Sequence, residues 1–295
     1  MKLARGLAKV SKDLTIVCNV GDNIWLYGLY ICPDVDTITY GLAGILDEKR
    51  GWGIKGDTFS FVDQMKKMGL PAWFGLGDRD LATHVYRTDL LRRGKSLTAI
   101  TAAIAKGLGA SSTILPATDD DVQTFVFTPK GEMHLQEFWV RSAAKPTVKD
   151  LYFHGAENAK VSAPVLKAIR KSERIIIAPA NPVSSIGPIL AMPVLRRALV
   201  RARDKVVAVS PIIGGRPVSG PAAKYMKAVG LEVSPAGIAG YYHDVAGSLV
   251  ISREDLKMAS AIERLGMRAI QADIMMRDAR GEARLARYLA GMSLN

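Results

Sequence analysis

Asn19, Asp22, Asn23, Asp34 and Asp36 crowd into the stretch that follows the apolar run "LTIVC", inside "NVGDNIWLYGLYICPDVDT". Asp34 and Asp36 are separated by one residue, so on extended backbone both carboxylates leave the same side. Two such carboxylates repel unless a cation lies between them, and phosphoryl-transfer sites hold Mg2+ in this way. The same residues also fit plainer work, Asp34 closing a turn after Pro33 and Asp36 capping a helix that opens at Thr37.

Two further loops carry anion-binding chemistry. In "RIIIAPANPVSSIGPIL" (174–190) a β-branched run ends in Asn181, Ser184, Ser185 and Gly187 just before a helical pattern. Amide donors, hydroxyls and a glycine at a helix N-terminus are the parts of a phosphate cradle, or of an ordinary capped helix start. "VVAVSPIIGGRPVSGPAAKYM" repeats the arrangement with Ser210, Gly214, Gly215, Arg216, Ser219 and Gly220. Two successive strands ending in such loops favour one shared anion-binding mouth.

A third charged stretch, "WFGLGDRDLATHVYR", holds Asp78, Arg79, Asp80, His84 and Arg87. Asp78 and Arg79 are expected at a pocket rim facing the "PDVDT" loop, whereas helical spacing allows Asp80 simply to cap a helix carrying His84 on its surface. His134 and Glu137 are read as lying three apart on one strand, hence on opposite faces, which argues against a shared metal. His154 and His243 are read as structural.

These loops need elements to hold them. Continuous β-branched runs at 14–20, 112–117, 174–180, 205–211 and 248–254 alternate with helical patterns, the signature of parallel strands covered on both faces. The expected fold class is α/β, a doubly wound and mostly parallel sheet. Residues 1–40 and 151–295 would form a Rossmann-like nucleotide-binding core, and 41–150 an inserted α+β cap with helices at 58–69 and 96–107. Within the cap, "VQTFVFTPKGEMHLQEFWV" reads as a hairpin turning at "TPKG". The chain opens directly on the helical pattern "KLARGLAKV", so the first strand and Gly-rich turn of a doubly wound sheet are apparently missing.

Composition narrows the function classes. With 295 residues and 48% hydrophobic content a large core is affordable. The formal charge of +12 is spread through helical segments without interleaved aromatics, which speaks against a nucleic-acid partner. Two cysteines without metal or disulfide spacing, no run long enough to span a membrane and no secretory leader make cytoplasmic the expected location. GxSxG, HExxH, Walker and GxGxxG motifs are absent, which disfavours the corresponding hydrolases, proteases, NTPases and dehydrogenases.

Taken together, "ICPDVDTITY", "RGWGIKGDTF", "GLGDRDLATHVYRT", "ANPVSSIGPIL", "VVAVSPIIGGRPVSGPAAKYM" and "ERLGMRAIQADIMM" resemble the 2-phospho-L-lactate transferase family of coenzyme F-420 biosynthesis, in the family's order over nearly the whole chain. The resemblance implies an enzyme moving a phospholactyl or phosphoenolpyruvyl group from a guanosine diphosphate ester to the ribityl hydroxyl of the deazaflavin Fo, with release of GMP. It implies Mg2+ and a homodimer. Asp36 matches the family's Fo-contacting aspartate, and Asp34 becomes a candidate metal ligand or proton acceptor, with both assigned as catalytic and metal-binding. A second Fo position, often basic in the family, is Gly75 here, with Asp78, Arg79 and Asp80 beside it. Asn181, Ser184, Ser185, Gly187, Ser210, Gly214, Ser219 and Gly220 would hold the nucleotide and its phosphates. Family members open with a strand and Gly-rich turn that this chain lacks, for which an upstream start is the preferred explanation. A non-catalytic nucleotide-binding homologue is the alternative. Replacing Asp36 with Ala is expected to stop transfer and leave the fold intact.

Overall fold

The computed structural model describes residues 1–293. The chain enters through α1 (Lys2–Val10), runs along β1 (Thr15–Cys18) and turns in a hairpin of β2 (Ile24–Leu26) and β3 (Leu29–Ile31) into α2 (Pro33–Leu42). Helices α3 (Ser60–Lys67), α4 (Asp80–Arg92) and α5 (Leu97–Gly107) lead to β4 (Thr113–Pro116), then to β5 (Gln123–Thr128), β6 (Gly131–His134) and β7 (Asp150–His154). After α6 (Ala163–Lys171), strands and helices alternate: β8 (Ile175–Ile177), α7 (Gly187–Leu190), α8 (Pro193–Arg201) and β9 (Val206–Val209). A short ribbon, β10 (Ile212–Ile213) and β11 (Arg216–Pro217), precedes α9 (Ala222–Ala228) and α10 (Pro235–Tyr242). The chain then passes through β12 (Ser248–Ile251), α11 (Ala259–Arg264), β13 (Arg268–Gln271) and α12 (Ala279–Gly291).

The β-branched runs become parallel strands, as their two-sided apolar character requires. β8, β9, β12 and β13 form one parallel sheet in the order β13-β12-β9-β8, and every residue of β9 and β12 is buried. β1 pairs in parallel with β4, from Thr15 opposite Thr113 to Cys18 opposite Pro116. The fold is therefore mixed α/β with helices on parallel sheets, but the parallel strands fall into two blocks. Among the described residues, β1 and β8 each have one unpaired edge. Between them lies an apolar slot of about 250 Å3, lined by Leu3, Leu7, Ile16, Val17, Ile176 and Ile186 among others.

Two details differ from the sequence reading. The stretch 41–150 contains β4, which pairs with β1, so that strand belongs to the core sheet rather than to the cap. The "TPKG" hairpin forms between β5 and β6, with β7 on the other edge of β5, but its second strand stops at His134. From Glu137 to Arg141 the chain coils into a π-helical turn, which buries Phe138 completely and leaves Trp139 exposed. Phe138 seats against Tyr225, ring centroids 5.9 Å apart, and that packing overrides the local β pattern. His134 and Glu137 accordingly do not share a strand.

Helix α1 lies on α12, at the far end of the chain, with Leu3 and Leu7 in one apolar cluster with Leu285 and Leu289. The Arg5 guanidinium donates to the buried Glu282 carboxylate at 2.5 Å. Close approach depends on Gly6, because a Cβ there would overlap the Glu282 carbonyl. Gly6→Val should therefore lower stability by about 1–3 kcal/mol, the usual cost of overpacking. The expected observation is a lower urea midpoint at unchanged m-value.

Candidate active site

Beyond the carboxyl end of β1 opens a cleft of about 480 Å3, walled by α2, α4, the 52–53 and 74–75 segments and the π-helical turn. Its polar lining is Asp22, Asp34, Asp36, Thr37, Asp80, His84 and Gln136, and its apolar lining includes Ile31, Tyr40, Trp52, Phe74 and Trp139.

The floor is built around Asn19. Its Oδ1 accepts from the Gly21 amide at 2.8 Å, which turns the side chain so that Nδ2 lies 2.9 Å from Asp22 Oδ1 and 2.9 Å from Asp34 Oδ2. The same Nδ2 approaches the Ser184 carbonyl at 3.4 Å, joining the floor to the loop after β8. Gly21 permits this approach, since a Cβ there would come within 2.7 Å of Pro188 and Thr124. Burial, then the charge of Asp34, push Asp22 well above the ordinary carboxylate range, while Asn19 opposes them. Burial likewise raises Asp34, with Asn19 and the N-terminal amine pulling it down.

Asp36 has a different partner from the one its spacing suggested. Helix α2 begins at Pro33, so Asp34 and Asp36 both sit in its first turn rather than on extended backbone. Two residues apart on a helix means about 200° around its axis, which sends the two carboxylates different ways. Asp34 faces Asn19, and Asp36 receives both Nη atoms of Arg87, one at 3.1 Å. The pair is buried, Asp36 being 5% and Arg87 0% exposed. Burial disfavours the Arg87 charge, but Asp36 outweighs it and holds the guanidinium protonated. A shared cation between Asp34 and Asp36 is thus replaced by an arginine on Asp36.

The network continues along α4. His84 places Nδ1 3.7 Å from Asp36 Oδ2 and Nε2 3.3 Å from Asp80 Oδ1, and the Tyr40 hydroxyl donates to Asp80 at 2.5 Å. Burial alone would raise Asp80, yet His84 and the Tyr40 hydroxyl together hold it below its ordinary value. His84, expected on the helix surface, is 1% exposed. The missed signal was spacing: Asp80, His84 and Arg87 share one face at i, i+4 and i+7.

Asp78 and Arg79 lie outside the cleft lining. The Asp78 carboxylate accepts from Thr58 Oγ1 at 2.5 Å, Phe61 N at 2.9 Å and Ser60 N at 3.0 Å, capping α3, and these bonds lower its pKa to about 2. Asp57 caps α4 through the amides of Arg79 and Asp80 at 2.8 and 3.0 Å. Arg79 itself reaches the Lys55 carbonyl at 3.3 Å. Gly75 does line the cleft.

In the phosphate-type loops, some predicted groups maintain the loops themselves. Asn181 Oδ1 accepts from Val183 N and Ser184 N at 3.0 and 3.2 Å, and Ser210 Oγ is bonded within its own turn to Ile212. Gly187 gives room to Phe153, which a Cβ would meet at 2.6 Å. The Gly214 amide donates to Asp255 at 3.1 Å, and Gly220 holds φ +68°. Ser185 is half-buried and Ser219 exposed. Helix α9, which follows the second loop, packs against the Pro182–Ile186 turn, so the two loops are neighbours.

The family description "2-phospho-L-lactate transferase CofD" matches residues 1–282. The chain belongs to the 2-phospho-L-lactate transferase family. A 2-phospho-L-lactate transferase of Methanosarcina acetivorans is 42% identical over 293 residues, 99% of this chain and 95% of that protein. A phosphoenolpyruvate transferase of Kitasatospora aureofaciens is 40% identical, covering 93% of this chain and 88% of the relative. A crystal structure of a UPF0052 family protein from Bacillus halodurans shares the fold, with a TM-score of 0.65 at 14% identity over 98% of this chain and 94% of that one. For this transferase, the buried ion pair also alters what a substitution at Asp36 can show. Asp36→Ala would strand the Arg87 charge inside the protein, so the substitution is expected to cost stability as well as transfer. Either Asp36→Ala or Arg87→Met should cost about 3–5 kcal/mol of stability, and the double variant should cost less than the sum, as a double-mutant cycle in urea would show.

Proposed function

We propose that this transferase moves a phospholactyl-type group, phospholactyl or phosphoenolpyruvyl, from a guanosine diphosphate ester to the terminal ribityl hydroxyl of the deazaflavin Fo, as a step of coenzyme F-420 biosynthesis. The hydroxyl oxygen bonds to the phosphorus bearing the three-carbon group, that phosphorus releases GMP, and the hydroxyl proton passes to a carboxylate. The observation that carries the reading is the Asp22–Asn19–Asp34 floor, set where the cleft meets the loop after β8. Such chemistry is mostly positioning and electrostatics.

The acidic pair suits Mg2+. Asp22 and Asp34 are held together with only an amide between them and their pKa values raised, a donor set of hard oxygens that a divalent cation would relieve. In this reading Asp34 and Asp22 are the ligands, in place of Asp34 with Asp36. The ion would supply charge neutralisation to the diphosphate. Asn19 orients both carboxylates, and Asp34 is the carboxylate assigned to accept the hydroxyl proton. Asp36, fixed by Arg87, presents its carboxylate to the acceptor in the same cleft. The amides and hydroxyls of 181–187 and 210–220 take the guanosine diphosphate portion. The protein works as a homodimer in the cytoplasm, with neither nucleic acid nor membrane as partner. No single helix among the described residues is long and apolar enough to cross a membrane.

Incubation with Mg2+, Fo and each guanosine diphosphate ester should release GMP in step with Fo consumption. Asp22→Asn and Asp34→Asn should each lower kcat/KM by about 100-fold or more. Unchanged turnover in both variants, or no Fo-dependent GMP from the native chain with any ester, would refute the assignment.

The slot between β1 and β8 is read as the seat of one more parallel strand. The two edges unpaired among the described residues and the apolar lining suit such a strand, which would unite β4, β1, β8, β9, β12 and β13 in a single sheet. A turn from it into α1 would pass beside Asp34, whose charge the Met1 amine already feels. Adding a β-branched strand and glycine turn ahead of Met1 should slow hydrogen exchange at 15–18 and 175–177, and a Gly/Ser extension of equal length should not. Equal exchange with both extensions would reject this strand.

A further inference from the structure

The cleft lining carries two kinds of surface. Asp22 and Asp34 are among its carboxylates, and its wall also holds two large indoles that remain uncovered, Trp52 at 41% and Trp139 at 45% exposure. A lone exposed aromatic needs no explanation. Two tryptophans from distant segments lining one cavity form a concave apolar surface of the kind small ligands use.

Both segments are held by contacts within the protein. The 47–53 turn is held by Asp47, which accepts from the amides of Lys49 and Arg50 at 3.0 and 3.1 Å and pairs with the Arg50 guanidinium at 3.0 Å. Arg50 lies 5.2 Å from the Trp52 ring centroid, and Phe59 meets the indole edge-on at 6.2 Å. The indole tip rests over Gly75, where a Cβ would stand only 2.8 Å from Trp52 Cη2. On the other segment, buried Phe138 anchors the π-helical turn next to Trp139. Lys224 clamps the following chain by donating to the carbonyls of Ala144 at 2.6 Å and Pro146 at 3.0 Å. Ring surfaces fixed in advance lose little entropy on binding.

We infer that Trp52 and Trp139 hold the flat heterocyclic ring of the acceptor by stacking while its hydroxylated arm extends to Asp22 and Asp34. Acceptor selection in this chain then rests on aromatic surface at Trp52, supported by the bare backbone of Gly75. The inference builds on the transfer reading above, and binding without donor separates the two.

The test is titration of Fo, with no donor present, into the native chain and the variants Trp52→Leu, Trp139→Leu, Trp52→Phe and Gly75→Ala, followed by tryptophan quenching and calorimetry. The native chain should bind Fo with quenching. Each Leu variant should weaken Fo by about 5- to 100-fold, the effect of losing one stacked ring. Trp52→Phe should retain part of the affinity, Gly75→Ala should weaken Fo by displacing the indole, and GDP affinity should not follow these changes. Circular dichroism and sedimentation confirm that each variant keeps its fold and assembly. If the Leu variants bind Fo as the native chain does, the inference falls and the transfer reading stands. If the native chain does not bind Fo, both fall. A change of oligomeric state with Fo affinity unaltered would assign the tryptophans to contact between copies and overturn the inference.

Discussion

Two carboxylates kept side by side by one amide set the terms for the rest of the cleft. Asp22 and Asp34 gain nothing from each other; the bridging Nδ2 of Asn19 offsets their repulsion in direct contact, and Gln136 Nε2 donates to Asp22 at 3.4 Å. Such an arrangement persists only where the surrounding fold determines it. Here β1 delivers Asn19, the turn at Gly21 brings Asp22 beneath it, and the first turn of α2 supplies Asp34. The contact to the Ser184 carbonyl ties this floor to the other block of parallel strands. Acidic chemistry and the loop after β8 are therefore fixed relative to each other.

The second buried charge system stiffens the wall. Asp36, Arg87, His84, Asp80 and Tyr40 link α2 to α4 without recourse to solvent. Breaking such a network costs more than its pairwise contacts suggest, because each orphaned charge stays buried. Asp57 and Asp78 complete the support by capping each other's neighbouring helices, so Asp78, expected at the rim of the pocket, is part of its fastening.

Much of this was legible in the residues. Parallel strands followed from unbroken β-branched runs, and the "TPKG" turn lies where its spacing placed it. The cleft itself was only half visible. Asp34 and Asp36 were singled out, but their geometry was misjudged because Pro33 opens a helix, and Pro at the first position of a helix is hard to tell from Pro in a turn. Arg87 was named among the charges of its stretch but given no role, although its inward face was written in its spacing from Asp80 and His84. Trp52 lies inside the family-like stretch "RGWGIKGDTF" and Trp139 in the hairpin stretch, but their convergence arises only when distant segments fold together. The end of β6 was equally hidden, being settled by the burial of Phe138 against Tyr225.

The packing of α1 on α12 has a consequence for how the molecule is made. Leu3 and Leu7 share one apolar cluster with Leu285 and Leu289, residues separated from them by most of the described chain. Contacts of such long sequence separation carry a high loop-closure cost, which slows the folding that depends on them. Until they form, the apolar stripe of the first helix and the sheet face behind it lack their final cover, a sticky surface of the kind that draws chaperones and misassembly.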